Sequence, residues 1–267
     1  MNSEMKSLAS GWRGMAASVP GNGHLRRELP CQDASAYIDF GHPALIALDG
    51  RGSSPLSQEG SAEGVSLFCS TLAIVEPLMR QVLDTHEPSE LAVRQLGEII
   101  HRALFQAKVN CARRHDGSAE VGLFDFTASI VVVGCCHVAC FQVGDGVIIV
   151  REHGKVRIVF KPDKGDAVNM TRFISEKDDG FRMELLSSDD IDGVAVMTDG
   201  VEHRVLDLKT MTPGPLFDAL FNEISRGMFS RADLLLFLTD NSLWARGDDI
   251  RDDDDRTLGI MIPTEGL

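Results

Sequence analysis

Basic residues are in short supply: the chain carries 26 Lys and Arg against 40 Asp and Glu, a formal net charge of −14. Binding nucleic acid without regard to sequence needs clustered cations that displace phosphate counterions, so this balance argues against such a partner. A basic protein surface would suit the chain better. CxxC pairs are absent as well. The six cysteines, at 31, 69, 111, 135, 136 and 140, fall mostly in apolar stretches, which suggests neither a zinc site nor a disulfide framework and fits a reducing compartment. Long apolar runs are missing too. The opening MNSEMKSLASGWRGM has no core of signal-peptide length, and the most apolar stretch, 128–150, is interrupted by His137, Gln142 and Asp145. The expectation is a cytoplasmic protein with no membrane partner. Because no Pro/Ser-rich or low-complexity segment and no internal repeat divides the 267 residues, 1–267 reads as one domain, long enough for a large core.

Short apolar runs at 34–38 (ASAYI) and 44–48 (ALIAL), separated by Asp39, Gly41 and Pro43, predict two strands and a turn. The second strand runs into Asp49-Gly50. Ala62, Val65, Cys69, Leu72 and Ala73 recur at helical spacing until the neighbourhood of Pro77 interrupts them. Another helix follows Pro88, with Leu96, Ile99, Ile100, Ala103, Leu104, Ala107 and Cys111 on one face. From 126 to 160 come TASIVVVG, HVACFQVG, GVIIVRE and KVRIVF, whose Gly-containing turns predict an antiparallel meander. GVAVMT at 193–198 again delivers the chain to an Asp-Gly pair, Asp199-Gly200. Helices are expected at 216–224 and after Ser230, where Ser230 and Asp233 suit a capping box, and TLGIMI at 257–262 is the last strand. Clustered antiparallel strands with helices inserted in blocks favour an α+β architecture, two antiparallel sheets flanked by helices, over a doubly wound parallel sheet.

Four times an apolar strand ends or begins at an aspartate: Asp49 after ALIAL, Asp145 after ACFQVG, Asp199 after AVMT, and Asp254 before TLGIMI. An Asp-Gly at a strand end is, taken alone, an ordinary turn. Several rigidly held carboxylates aimed at one point, however, make an all-oxygen site for a hard cation such as Mg²⁺ or Mn²⁺. Other acidic pairs, Asp178-Asp179 and Asp189-Asp190 among them, read as solvated faces.

In order along the chain, CQDA (31–34), LDGRGS (48–53), QVGDG (142–146), VMTDGVE (196–202) and DDRTLGIM (254–261) resemble the successive motifs of the protein phosphatase 2C superfamily. Order and spacing agree from about Gly14 to Ile262, and ASVPGNGHLRRELPCQDA (17–34) and NMTRFI (169–174) are similar to a compact bacterial branch of it. The resemblance implies a four-layer α-β-β-α sandwich and a metal-dependent serine/threonine protein phosphatase. It implies two Mn²⁺ or Mg²⁺ ions, with a weaker third, and a metal-activated water as nucleophile. By motif, Asp49 bridges the two ions and the Gly50 carbonyl binds the second. Asp199 and Asp254 complete the first ion's protein ligands, Asp33 orients water on the second, and Asp145 helps hold the third. The implied partner is a phosphoprotein substrate, a serine/threonine kinase or its targets. Two ions about 3.5–4 Å apart can activate a bridging water and aim it in line with a phosphate ester. No thiol nucleophile is then needed, and none of the cysteines opens a Cys-x5-Arg phosphate loop.

Family members often carry Glu before the first motif's Asp and His after the second motif's Asp-Gly, where this chain has Gln32 and Arg51. The family's phosphate-binding Arg is also out of register, Arg26 and Arg27 being nearby but displaced. Arginine is no general acid at neutral pH, yet its planar fork suits phosphate oxygens, so Arg51 is expected to capture phosphate. The alternative pairs it with a loop carboxylate. His24, in a glycine-flanked loop, is the candidate proton donor, a solvent-facing histidine being the plainer alternative. The catalytic candidates are therefore Asp33, Asp49, Arg51 and His24. Segment 161–192, rich in Lys, Asp and Gly, resembles the family's flap beside the active site, or else is a surface loop. A catalytically degenerate, phosphoprotein-binding regulatory module is the alternative function, motivated by Gln32 and Arg51, and a hydrolase of small phosphate esters is a third. The four aspartates favour the enzyme.

Overall fold

The computed structural model describes residues 11–115, 119–161, 171–177, 180–207, 209–244 and 254–264. Two five-stranded antiparallel sheets lie face to face. One runs β2 (Ala34–Phe40), β3 (His42–Gly50), β4 (Phe126–Val133), β5 (His137–Val143) and β8 (Arg182–Ser187). The other runs β1 (Trp12–Val19), β12 (Arg256–Pro263), β9 (Ile191–Met197), β6 (Val147–Glu152) and β7 (Lys155–Ile158). Two short strands, β10 (Leu206–Asp207) and β11 (Thr212–Pro213), pair separately.

The unbroken apolar runs follow from burial on both faces. Side chains alternate across a strand, so Ala44, Ile46 and Leu48 of β3 face helices while Leu45 and Ala47 enter the layer between the sheets. In β4, Ile130 and Val132 face outward and Val131 and Val133 inward, where they meet Ile148 and Val196 of the opposite sheet. Over the first sheet lie α2 (Ser57–Ile74), α3 (Glu76–Leu83) and α4 (Glu90–Arg114), which contribute Phe68, Met79, Val82, Leu96, Ile100 and Leu104 to its outer core. Pro77 sits in the first turn of α3, where a missing N–H leaves no bond unmade, so the expected interruption is a corner between two helices. Over the second sheet, α5 (Asp199–Val205), α6 (Leu216–Ser225), α7 (Arg231–Thr239) and α8 (Asn241–Trp244) bring Val201, Phe217, Phe221, Leu234, Leu238 and Trp244 against Ile149, Ala195 and Ile260. The expected α-β-β-α sandwich results, and Ser230 and Asp233 cap α7 reciprocally.

One expectation fails, and so does the plainer alternative for 161–192. The strands of 126–160 do not form one meander: β4 pairs with β5 and β6 with β7, but β5 takes β8 as its other neighbour and β6 takes β9. Gly144, Asp145 and Gly146 carry the chain from one sheet to the other, with Gly144 at φ +89°. Packing decides this. Phe141 and Val143 of β5 are buried beneath α3 and α4, whereas Val147 and Ile149 of β6 are buried beneath α6 and α7, so both sets are covered only if the strands belong to different sheets. Nor is 161–192 one surface loop. Residues 162–170, Met170 included, and 178–179 lie outside the described residues, but Arg182–Ser187 is the edge strand β8, with Met183 and Leu185 against the core. Among the described residues no single helix is long and apolar enough to cross a membrane.

Candidate metal centre

The C-terminal ends of β3 and β9, the start of β12 and the β5–β6 crossing meet at one edge of the sandwich. There Asp49, the second-last residue of β3, Asp145 of the crossing, and Asp199, the first residue of α5, present carboxylate oxygens all within 4.8 Å of one another. Asp254 stands exposed just before β12, outside that trio. Its charge still acts on Asp49 and Asp199, and its Oδ1 accepts the Asp255 N–H at 2.9 Å. The geometry thus groups Asp145 with Asp49 and Asp199 where the resemblance had grouped Asp254.

Carboxylates this close repel, and burial removes the water that would screen them. Asp49 is pushed well above the ordinary carboxylate range, by burial first and then by Asp199, Asp33, Asp254 and Asp145. Asp199 rises likewise, burial leading, followed by Asp254 and Asp145. Asp33 is raised to about 7 by burial and then by Asp255, against the opposing pull of the Thr198 and Thr257 hydroxyls, each donating to its Oδ2 at 2.8 Å. A divalent cation reverses this logic, and the all-oxygen donor set suits a hard ion. The residues present fit Mn²⁺ or Mg²⁺.

Close backbone approach explains the glycines that follow Asp49 and Asp199. A Cβ on Gly50 would lie 2.6 Å from the Gln32 carbonyl oxygen, and one on Gly200 only 1.8 Å from that of Asp255. Asp255 itself was missed from the sequence, although it closes an acidic run directly before an apolar strand. Fully buried, it accepts the Gly21 N–H (2.8 Å) on Oδ1, which also faces His24 Nδ1 (2.8 Å), and the Gln32 N–H (2.6 Å) on Oδ2. One carboxylate therefore joins the first-motif loop, the short helix α1 (Asn22–Arg27) and the start of β12. His24 is accordingly not a solvent-facing loop residue but a buried residue of α1. Gln32 acts as a staple: Nε2 donates to the Ser54 carbonyl (3.1 Å), and its own carbonyl accepts from the Ser61 hydroxyl (2.5 Å).

Arg51 lies on the rim, its Nη1 3.3 Å from Asp125 Oδ2, its Nε 2.9 Å from Ser53 Oγ and its guanidinium over the Phe173 ring. Carboxylate pairing, the alternative for this residue, is thus the arrangement seen. Thr171 Oγ1 donates to Asp145 Oδ2 at 2.8 Å, so the first described residues after 170 run beside the acidic trio, as a flap would. Arg256, despite its place in the last motif, turns away to stack on Trp244 and donate to the Leu238 carbonyl at 3.0 Å. Cys31, next to this network, has its thiol pushed far up by burial and by Asp33, and is no nucleophile.

A sequence profile for protein phosphatase 2C matches residues 20–238. The chain is similar to serine/threonine-protein phosphatase 3 of Escherichia coli (strain K12), 27% identical over 261 residues that span 95% of this chain and 99% of that protein. Among solved structures, a bacterial serine phosphatase superposes with a TM-score of 0.61 at 13% identity, over 94% of this chain and 97% of that one. The catalytic domain of the serine threonine protein phosphatase PstP, in complex with 2 manganese ions, gives 0.58 at 14% identity over the same shares. At such identities the structural likeness speaks for the fold, and the profile, spanning most of the sequence, speaks for descent: this chain belongs to the protein phosphatase 2C family.

Proposed function

We propose that the cleft at the sandwich edge hydrolyses phosphoserine and phosphothreonine in proteins, as a metal-dependent serine/threonine phosphatase. The observation that carries this reading is the convergence of Asp49, Asp145 and Asp199, all inside the span that the family profile matches, within 4.8 Å. Mn²⁺ or Mg²⁺, two ions when bound at this cluster, would supply an activated water and offset the charge of the phosphate. Asp49, Asp145 and Asp199 would hold them directly, and the Gly50 carbonyl and Asp254 would complete the set. Asp33, one oxygen fixed by Thr198 and Thr257, keeps the other for orienting water. His24, fixed through Nδ1 by Asp255, keeps Nε2 for the proton that the departing serine or threonine oxygen needs. The net charge of −14 suits a substrate whose phosphosite lies among basic residues, as in a kinase or its targets.

The test is hydrolysis of a phosphothreonine peptide, present with Mn²⁺, abolished by EDTA and restored by added metal. A folded protein that binds the peptide without turning it over under any of these conditions would instead be the regulatory module. Faster hydrolysis of small phosphate esters than of peptides would move the substrate class.

A further inference from the structure

Arg51 follows Gly50 at the cleft end of β3, and Gly50 pairs with Phe126, so Asp125 lies beside Arg51 and accepts its backbone N–H at 2.9 Å. The side-chain contact is looser: Nη1 stands 3.3 Å from Asp125 Oδ2, and the arginine side chain is 46% exposed. The other oxygen of the same carboxylate receives Lys108 Nζ at 2.5 Å. Lys108 comes from the buried face of α4, between Leu104 and Cys111, with its side chain only 4% exposed, and also donates to the Ile174 carbonyl. An ammonium there demands a charge partner, and Asp125 is that partner. One carboxylate thus stands between two cations. Lys108 already balances it, which leaves Arg51 as a surplus positive charge at the mouth of an acidic cleft.

We propose that Arg51 is the receptor for the substrate phosphate, parked on Asp125 until substrate arrives, and that buried Lys108 is the positioning residue that lets it leave. The assignment rests on the phosphatase reading above. When the guanidinium turns to the phosphate, Lys108 keeps Asp125 neutralised, so departure leaves no unpaired carboxylate behind. Phe173 covers one face of the guanidinium and leaves its N–H edge for bidentate contact.

Steady-state kinetics on a phosphothreonine peptide with Mn²⁺ test this in four variants. Arg51→Ala raises KM about tenfold and lowers kcat less. Lys108→Met leaves Asp125 to hold Arg51 alone, which tightens the parked pair, and KM rises about fivefold with kcat within about twofold. Removing both charges of the pair, in Lys108→Met with Asp125→Leu, frees Arg51 and returns KM to within about twofold of wild type. In the Arg51→Ala background, Lys108→Met adds nothing further. A lysine that merely braces the fold predicts the reverse, a double variant at least as impaired as the single one, and that result overturns the proposal. So does an unmoved KM in Arg51→Ala. Should Lys108→Met alone unfold in a circular-dichroism melt, the double variant, which buries no lone charge, decides by itself: a raised KM there overturns the assignment. Absence of wild-type turnover with either Mn²⁺ or Mg²⁺ would overturn the phosphatase reading itself, whereas turnover with the wrong KM pattern overturns only the role of Arg51.

Discussion

Stripped of metal, the protein should lose stability as pH rises, against the usual behaviour of acidic proteins. Burial and the charge of Asp255 raise Asp33 to about 7 in the fold against 3.8 ordinarily, and Asp49 and Asp199 are displaced in the same direction. Below the ordinary value both folded and unfolded chains hold the proton, and the full contribution is present. Between it and about 7 only the fold keeps the proton, so stability drains away as pH rises through that window. For Asp33 alone the difference is on the order of 4 kcal/mol, taking ~1.36 kcal/mol per pH unit. Carboxylates held low by hydrogen bonds, Glu152, Asp207 and Asp233, act the other way but only below the ordinary range, outside the window. Urea midpoints in EDTA, compared at about pH 5 and about pH 7.5, should show the more acidic sample to be the more stable. Saturating Mn²⁺ should raise the midpoint most at the higher pH, and Asp49→Asn should stabilise the EDTA-treated protein while blunting its response to metal. A metal-free midpoint that is flat or rises across that interval would refute the reasoning.

Asp49→Asn and Asp199→Asn should each lower kcat by about a hundredfold or more with the circular-dichroism spectrum unchanged, because they remove charge from the cluster and no packing from the core. Near wild-type turnover in either would sink the assignment. Gly200→Ala should lower the melting temperature, consistent with a cost of about 1–3 kcal/mol for overpacking, since its new Cβ would stand 1.8 Å from the Asp255 carbonyl oxygen; an unchanged melting temperature would show that the turn yields. Iodoacetamide should leave turnover intact: burial raises the Cys31 and Cys140 thiols far out of the reactive range, and the exposed Cys135 is held at about 12. Loss of activity without unfolding would reopen a thiol mechanism.

What the sequence disclosed depended on whether the governing interactions were local. The apolar runs of β3 and β4 and the spaced apolar residues of α4 show their element type directly, because each is set by burial of its own faces. Ser230 and Asp233 lie three residues apart and announce their cap. The aspartates were legible because strand ends bring them to one edge whatever the strand order. Strand order itself was not. QVGDGVIIV reads as a hairpin, and only the helices lying over β5 and β6 show that it crosses between sheets. β8 was hidden in a Lys-, Asp- and Gly-rich stretch because its pairing partner β5 lies some forty positions upstream. His24 and Asp255 are 231 residues apart, so no spacing rule brings them together. Lys108 looked like any helical lysine until Asp125 and Ile174 were seen around it.

The change of sheets at Gly144–Asp145–Gly146 has a mechanical consequence. Asp49 hangs from one sheet, Asp199 from the other, and Asp145 from the strap between them. The layer between the sheets is held chiefly by burial, with few hydrogen bonds such as Tyr37 Oη to the Trp12 carbonyl crossing it, and burial has no preferred separation finer than the fit of its side chains. An ion gripping all three carboxylates would set that separation at one edge, like the clasp of a book. How tightly the ion is held and how far the covers can open then become a single quantity. A substitution deep in the intersheet layer, at Val131 or Ile148 for instance, would retune metal affinity without touching a ligand.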